Sequence, residues 1–134
     1  MKVPVIIFLI LCLASCSATW PTYTTTITGN AIQVPVVGFD NSNLNIIADE
    51  NSSLSILLFK RSPMEYDAYH MSCSYDHKLL EVTSTNIVCP VCGSTFDFDG
   101  TPKSAPATMP LLKFPTELSP DQTTVRIDIQ ALHL

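Results

Sequence analysis

The stretch SCSYDHKLLEVTSTNIVCPVCGSTFDFDG (72–100) carries three cysteines at two separated points. Cys73 stands near its start, and Cys89 and Cys92 form a Cys-Pro-Val-Cys step ahead of Gly-Ser. Two thiolates three residues apart can converge on one metal ion, which makes this step a metal-binding pattern. On spacing alone, the three cysteines and the nearby His77 predict a Cys3His site.

A predicted β-hairpin lies between these cysteines. The segments 78–83 and 86–89 are rich in aliphatic and β-branched residues, and Thr-Ser-Thr-Asn between them is typical of a turn. Pairing of the two strands would bring the flanking loops, 72–78 and 89–97, to one end of the hairpin. These two loops therefore form the candidate site.

The rest of the chain also favours strands. Turn residues separate short segments dense in apolar and β-branched residues, and ten prolines argue against long helices. The predicted strands outside the hairpin lie in segments 31–39, 44–48, 54–61, 65–71, 94–98, 110–118 and 124–132. Many short strands at close spacing predict an all-β fold, an antiparallel β-sandwich or small barrel.

The N-terminus has the pattern of a lipoprotein signal peptide. A short basic start precedes the apolar run VPVIIFLILCL, which is too short to span a bilayer as a stable helix. It ends in Leu-Ala-Ser-Cys (13–16), a quartet that resembles the lipobox of bacterial lipoproteins. We expect a signal peptide over 1–15, an acylated Cys16, a tether over 16–24 and one domain over 25–134.

The charge of the mature chain excludes one class of partner. Without Lys2, six of the seven basic residues remain against twelve acidic ones. An acidic chain has no electrostatic footprint for nucleic acid. The expected location is the bacterial cell envelope, with a lipid anchor in the membrane and an unidentified envelope protein as partner. Because no acidic cluster follows Cys16, we expect the periplasmic face of the outer membrane.

The two loops and the segment after them resemble a Rieske domain. That family has Cys-x-His in a first loop, Cys-Pro-x-His-Gly-Ser-x-Phe in a second, then a glycine, a Pro-Ala lid and an aliphatic residue. The matching residues here are Cys73, Cys89-Pro90, Gly93, Ser94, Phe96, Gly100, Pro106-Ala107 and Leu111 or Leu112. The resemblance implies a Rieske-like β fold with a two-loop cluster-binding subdomain.

Both histidines of the family pattern are replaced. Tyr75 stands at the first histidine position and Cys92 at the second. This variant resembles the Rieske-like lipoproteins of Bacteroidetes, which share the envelope anchor. The resemblance implies a [2Fe-2S] cluster held by Cys73, Cys89 and Cys92, with Tyr75 or His77 as fourth ligand. Three thiolates would lower its potential below that of a two-histidine centre.

Two further readings of the same residues stay open. A mononuclear zinc or iron site could use the three cysteines and one more ligand. In either metal site, Ser94 and Pro106 would lie next to the ligands, and the Ser94 hydroxyl could donate a hydrogen bond to a sulfur.

The third reading is a domain without metal. In the oxidising envelope, a disulfide could form between Cys73 and Cys89 or between Cys89 and Cys92. The protein would then be a stapled structural or binding lipoprotein with one free thiol. The sequence shows no Ser-His-Asp spacing, phosphate loop or carboxylate pair, so we expect an electron-transfer protein at most and not an enzyme.

Overall fold

The computed structural model of the protein describes residues 20–37 and 43–133, and these ranges form an all-β fold, as predicted. The elements in chain order are β1 (Thr22–Thr25), β2 (Ala31–Pro35), β3 (Leu44–Asp49), β4 (Ser55–Ser62), β5 (Glu65–His70), β6 (Glu81–Val82), β7 (Ile87–Val88), β8 (Thr95–Phe96), β9 (Pro102–Ser104), β10 (Lys113–Phe114), β11 (Thr116–Leu118), β12 (Thr124–Asp128) and a 3-10 helix (Gln130–His133). Within these ranges no helix has the length and apolar character needed to cross a membrane. The predicted signal peptide and Cys16 lie outside the described residues.

The strands form three open sheets. One sheet has the order β1-β3-β4-β5-β10, a second has the order β11-β12-β2, and a third has the order β6-β7-β8-β9. Among the described residues no sheet closes into a barrel, so the fold is the sandwich form of the prediction. β1 and β3 pair in parallel, whereas all other pairs are antiparallel.

The five-stranded sheet has a hydrophobic core on each face. Its β4 carries an uninterrupted apolar run, and all three side chains are buried: Ile56, Leu57 and Leu58. Because side chains alternate along a strand, Ile56 and Leu58 face one core, called the first core below. Leu57 faces the other, called the second core. The second core also contains Cys73 and Cys89, so both candidate loops rest on packed apolar side chains.

The chain joins the fold earlier than predicted. β1 begins at Thr22, inside the expected tether, and pairs with β3 from Thr22 to Thr25. Trp20 packs against the second core and Tyr23 against the first. The β-branched threonines suit an edge strand, and the two aromatic rings give it apolar surface to bury. Residues 20–24 are therefore part of the domain.

Several strands also differ from the predictions in their bounds or in their number. Only Glu81–Val82 of the segment 78–83 is a strand, and Pro102–Ser104 forms a strand that was not predicted. The last strand ends at Asp128, where its carboxylate accepts a hydrogen bond from the Gln130 N–H (3.0 Å) and a 3-10 turn begins. These boundaries depend on pairing and local side-chain hydrogen bonds that a strand pattern does not encode.

Gly100 and Leu111 fix the segment that follows β8. Gly100 has φ +84°, and a Cβ at this position would lie 2.8 Å from Cε1 of Tyr69. The Leu111 N–H donates to the Gly100 carbonyl at 2.9 Å. Leu111 is buried, whereas Leu112 is exposed, so Leu111 is the aliphatic residue that closes this segment. Residues 105–112 are called the lid below.

Candidate metal centre

The first ligand loop (loop one, 73–78) is a tight turn that begins at Cys73. The Cys73 N–H donates to the carbonyl of Lys78, and the His77 N–H donates to the carbonyl of Cys73, both at 2.9 Å. His77 has φ +60°, an uncommon value for a residue other than glycine. The N–H groups of Tyr75 and Asp76 point at the Cys73 sulfur.

The second ligand loop (loop two, 89–94) repeats this turn. The Cys89 N–H donates to the carbonyl of Ser94 (2.8 Å), and the Gly93 N–H donates to the carbonyl of Cys89 (3.0 Å). Gly93 has φ +80° and occupies the position that His77 has in loop one. In both loops, then, the first residue bonds to the sixth and the fifth bonds to the first.

This repetition makes Asp76 the counterpart of Cys92. Each is the fourth residue of its loop, so the sequences Cys-x-x-Asp and Cys-x-x-Cys hold equivalent side chains on equivalent backbone turns. Two such turns facing each other can offer two ligands apiece to a shared ion. The pair of loops therefore supplies three sulfurs and one carboxylate.

The side chains of these four residues converge. One ligand atom from each of Cys73, Asp76, Cys89 and Cys92 lies within 4.8 Å of the others. The Cys73 and Cys92 sulfurs are 3.7 Å apart, and the Cys89 thiol donates to Asp76 at 3.4 Å from Oδ1. Among the described residues, this group could hold a metal ion.

The spacing matches one ion. Zn–S bonds of about 2.3 Å put two sulfurs of a tetrahedral site about 3.8 Å apart, which agrees with the 3.7 Å between Cys73 and Cys92. A two-iron cluster places its ligand pairs on different irons with bridging sulfides between them, so atoms of different pairs stand further apart than one tetrahedral edge. Four atoms within 4.8 Å of one another are close enough to bind a single ion.

Burial and hydrogen bonds act differently on the ligands. Burial raises the pKa of the Cys73 thiol to about 11, despite the N–H groups of Asp76 and Tyr75 that favour the thiolate. For Asp76, burial acts to raise the pKa, but the Lys78 N–H and the neighbouring thiols outweigh it and the pKa is lowered. The carboxylate is therefore ionised at neutral pH, ready to bind a cation.

Ser94 connects loop two to the lid. Its side chain is fully buried, and its hydroxyl accepts a hydrogen bond from the Ala107 N–H (2.9 Å) and lies 3.1 Å from the Cys92 sulfur. Burial acts to raise the pKa of Cys92, but the hydroxyl and N–H of Ser94 lower it. Ser94 thus lies beside the sulfur of Cys92, and the expected role of its hydroxyl as a donor to a metal-bound sulfur stays a prediction. Pro106, joined to Ala105 by a cis peptide bond, precedes Ala107 in the lid.

The lid also holds loop one. The Ser74 hydroxyl donates to the carbonyl of Met109 at 2.7 Å. Together with the bond between Ala107 and Ser94, this contact joins both ligand loops to a single segment. The lid therefore helps to fix the distance between the two halves of the site.

The two residues predicted as fourth ligand lie elsewhere. Tyr75 is 59% exposed, at the turn of loop one, and only its N–H points at a ligand. His77 is exposed, and its ring shares two surface cavities with His70. Burial, and then the charge of His77, lower the pKa of His70. Asp76 provides the converging atom that the sequence interpretation sought from Tyr75 or His77.

The three cysteines are free thiols in the structure. The sulfurs of Cys73 and Cys92 are 3.7 Å apart, and this pair is not one of the predicted disulfides. A disulfide bond is about 2.0 Å long, so these sulfurs are in contact but not bonded. The pairings Cys73–Cys89 and Cys89–Cys92 stay predictions for an oxidised, metal-free protein.

Comparisons with known proteins identify no relative of this chain, so the function of the site is interpreted from the chemistry of its residues. No protein family matches the chain. No curated protein matches it either. The Rieske resemblance therefore stays a prediction, carried by the residues of the two loops and the lid.

Proposed function

We propose that the chain is a Rieske-like electron carrier of the bacterial envelope, anchored through Cys16. Its two loops bind a single iron ion through Cys73, Asp76, Cys89 and Cys92, in place of a two-iron cluster. The observation that carries this proposal is the convergence of these four ligand atoms within 4.8 Å of one another, on two repeated backbone turns.

The ligand set favours electron transfer over catalysis. Four protein ligands complete a tetrahedral shell, whereas a catalytic ion keeps a position open for water or substrate. Hydrogen bonds to the sulfurs tune the potential of an iron–thiolate site, and here the N–H groups of Tyr75 and Asp76 supply them to Cys73. In the metal-free protein the Cys92 thiol donates to the Ser94 hydroxyl at 3.1 Å, and a metal-bound Cys92 thiolate would accept a hydrogen bond from that hydroxyl instead. Asp76 adds a hard oxygen ligand, which favours the ferric state over the ferrous one.

The position of the site also suits electron transfer. Cys73 and Cys89 are fully buried, whereas Cys92 and Asp76 are partly exposed at the surface of the two loops. An electron can therefore enter or leave through a ligand at the protein surface, while the buried pair keeps solvent from one side of the ion.

Metal analysis of the protein purified without oxygen tests the proposal. We expect one iron per chain, no acid-labile sulfide, and a visible thiolate-to-iron absorption that bleaches reversibly on reduction. Asp76→Ala should lose the ion or bind it far more weakly. Asp97→Ala is the matched control, because Asp97 is a surface carboxylate paired with Lys103 (3.3 Å) outside the ligand group.

Other results would reject parts of this proposal. Two irons and two sulfides per chain would restore the cluster predicted from the family resemblance. A colourless protein with no metal and an oxidised cysteine pair would establish the stapled, metal-free reading. If Cys16→Ala associates with the membrane as well as the wild type does, the lipid anchor at Cys16 is rejected, and the proposed metal site is unaffected.

A structural zinc site is the second candidate. Cys73 and Cys89 belong to the second hydrophobic core, so an ion bound to them would also fasten the loops to that core. Structural zinc sites use the same closed tetrahedral shell. One zinc per chain, no iron after growth with added iron, and loss of folding on chelation would favour zinc over the electron carrier.

A further inference from the structure

Two histidines lie beside the metal centre without belonging to it. His70 is the last residue of β5, and His77 is the fifth residue of loop one. Both line the same two surface cavities. The converging group of three cysteines and Asp76 includes neither of them. The proposed iron site therefore leaves this pair of imidazoles without a role.

Met109 of the lid borders the same space. One of the two cavities, about 320 Å³ in volume, lies between loop one and the lid, and Met109 lines it together with both histidines. The Ser74 hydroxyl donates to the Met109 carbonyl at 2.7 Å, and the His70 N–H donates to the Leu112 carbonyl at 2.9 Å. These two bonds hold the lid against loop one and against the end of β5. They keep the thioether of Met109 beside the two imidazoles.

The backbone of His77 indicates that its side chain has a use. His77 has φ +60°, whereas the equivalent residue of loop two is a glycine, Gly93, with φ +80°. Positive φ strains a residue that carries a Cβ and does not strain glycine. Residues other than glycine that are held in such conformations cluster at binding and active sites. Loop one thus keeps an imidazole at a position where glycine would fit with less strain.

The side chains that line the two cavities select the kind of ligand. Among the described residues that line them, none is Asp, Glu, Lys or Arg. The cavities therefore lack the carboxylates that bind calcium or magnesium and the fixed positive charges that bind an anion. Imidazole nitrogens suit copper, zinc, iron and nickel, and a thioether sulfur selects copper(I) among these ions.

We propose that His70, His77 and Met109 form a second metal site, which binds one copper(I) ion between loop one and the lid. Copper(I) accepts a small number of ligands, so two nitrogens and one sulfur complete its shell. The inference goes beyond the proposed function, because it uses none of the residues that bind the iron ion. Cys73 borders the same cavity, so a test has to separate copper at the histidines from copper at the cysteines.

Titration with copper(I) tests the second site on the full-length protein in detergent, without oxygen. One equivalent of zinc is added first, because zinc occupies the cysteines and exchanges no electrons with copper. Resonances of ¹⁵N-labelled histidine rings report binding at each imidazole, and a zinc indicator reports displacement from the cysteines. We expect one equivalent of copper(I) to shift the rings of His70 and His77 together, without release of zinc.

Met109→Leu tests the thioether with little risk to the fold, because the side chain is 65% exposed and leucine has a similar size. Loss of even an outer partner of a metal ligand weakens binding about 10–100-fold, so loss of a direct ligand should weaken copper(I) binding at least about tenfold. Met64→Leu is the matched control, since Met64 is 61% exposed in the β4–β5 turn. His77→Gln should also abolish the shift of the His70 ring.

Three results would overturn the second site. They are copper(I) binding that releases zinc and leaves both rings unshifted, a shift of one ring alone, and equal copper(I) affinity of Met109→Leu and Met64→Leu. The zinc bound before titration decides the proposed metal centre separately. A protein that takes up no zinc but shifts both rings would retain the copper site and lose the iron site.

Discussion

Loop one and loop two have the same backbone turn but share only their first residue, a cysteine, and three of the differences bear on the metal site and the turn. The fourth residue is Asp76 in the first and Cys92 in the second, the fifth is His77 against Gly93, and the sixth is Lys78 against Ser94. Loop two has the residues that a metal-binding turn favours, a second thiolate and a glycine at positive φ. The backbone of loop one shows that the turn itself does not require them.

The largest expected effect comes from giving loop two the ligand of loop one. Structural zinc contributes about 10–16 kcal/mol over four ligands, so removal of one thiolate should cost about 3 kcal/mol, a factor of about a hundred in affinity. We expect Cys92→Asp to show this loss in competition with a chelator. The reciprocal Asp76→Cys should bind at least as tightly as wild type. Equal affinity of Cys92→Ala, which offers no ligand atom, and wild type would remove Cys92 from the ligand set.

The second largest difference is expected between substitutions of the sixth residues, Ser94 of loop two and Lys78 of loop one, in their effect on the free energy of unfolding. Ser94→Ala leaves the buried N–H of Ala107 without its acceptor, which should cost about 1–3 kcal/mol of unfolding free energy. Lys78→Ala removes an exposed side chain and should change stability by less than about 0.5 kcal/mol. Denaturant unfolding of both variants at saturating zinc measures the difference. Similar costs for the two would show that Ser94 does not hold the lid.

Metal binding should release the proton of the Cys73 thiol, which makes the metal affinity depend on pH. Burial holds the pKa of Cys73 at about 11, so its thiol is protonated at neutral pH in the metal-free protein. The ion binds the thiolate, so a thiol that is protonated in the metal-free protein loses its proton when the ion binds. For each proton released in this way, the apparent affinity for the metal falls about tenfold when the pH is lowered by one unit. Zinc competition from about pH 6 to about pH 8 should show this slope. An affinity independent of pH would contradict it.

The smallest effects are expected at the fifth positions. Nothing lies within 4 Å of a Cβ placed at Gly93, so Gly93→Ala should cost only the backbone strain of positive φ, about 1 kcal/mol. His77→Gly removes the same strain and should be neutral or stabilising by less than about 1 kcal/mol, since glycine also gains entropy in the unfolded chain. A large destabilisation by His77→Gly would show instead that the imidazole supports loop one. Thermal unfolding at saturating zinc measures both.

The sequence patterns were sufficient to predict the convergence of the three cysteines and most of the strands. A Cys-x-x-Cys step and a hairpin are local features, so Cys73, Cys89 and Cys92 could be brought together from spacing alone. Asp76 was missed because an Asp-His pair after Tyr75 is also typical of a turn. The sequence feature that could have revealed Asp76 is the equal spacing of Cys73-x-x-Asp76 and Cys89-x-x-Cys92. This spacing predicts two equivalent turns only if His77, which is not glycine, adopts the positive φ that Gly93 has in loop two.

The early start of β1 and the unpredicted strand β9 have a different physical cause. The pairing of Thr22–Thr25 with β3 is long-range and parallel, and an edge strand of threonines has no apolar alternation to reveal it. Pro102 begins β9, although proline normally argues against a strand; it is tolerated at the first residue of an edge strand. Both strands are stabilised by their neighbours more than by their own sequence.

The hydrogen bonds of the lid also bear on the order in which the chain assembles. Ala107 and Ser94 are 13 residues apart, whereas Ser74 and Met109 are 35 residues apart. Closing a longer loop costs more chain entropy, and contacts of high sequence separation form more slowly. Loop two and the lid should therefore associate first, and loop one should dock last. Hydrogen exchange during refolding should find the Ala107 amide protected before the amides of loop one, so that Cys73 and Asp76 complete a half-site already in place.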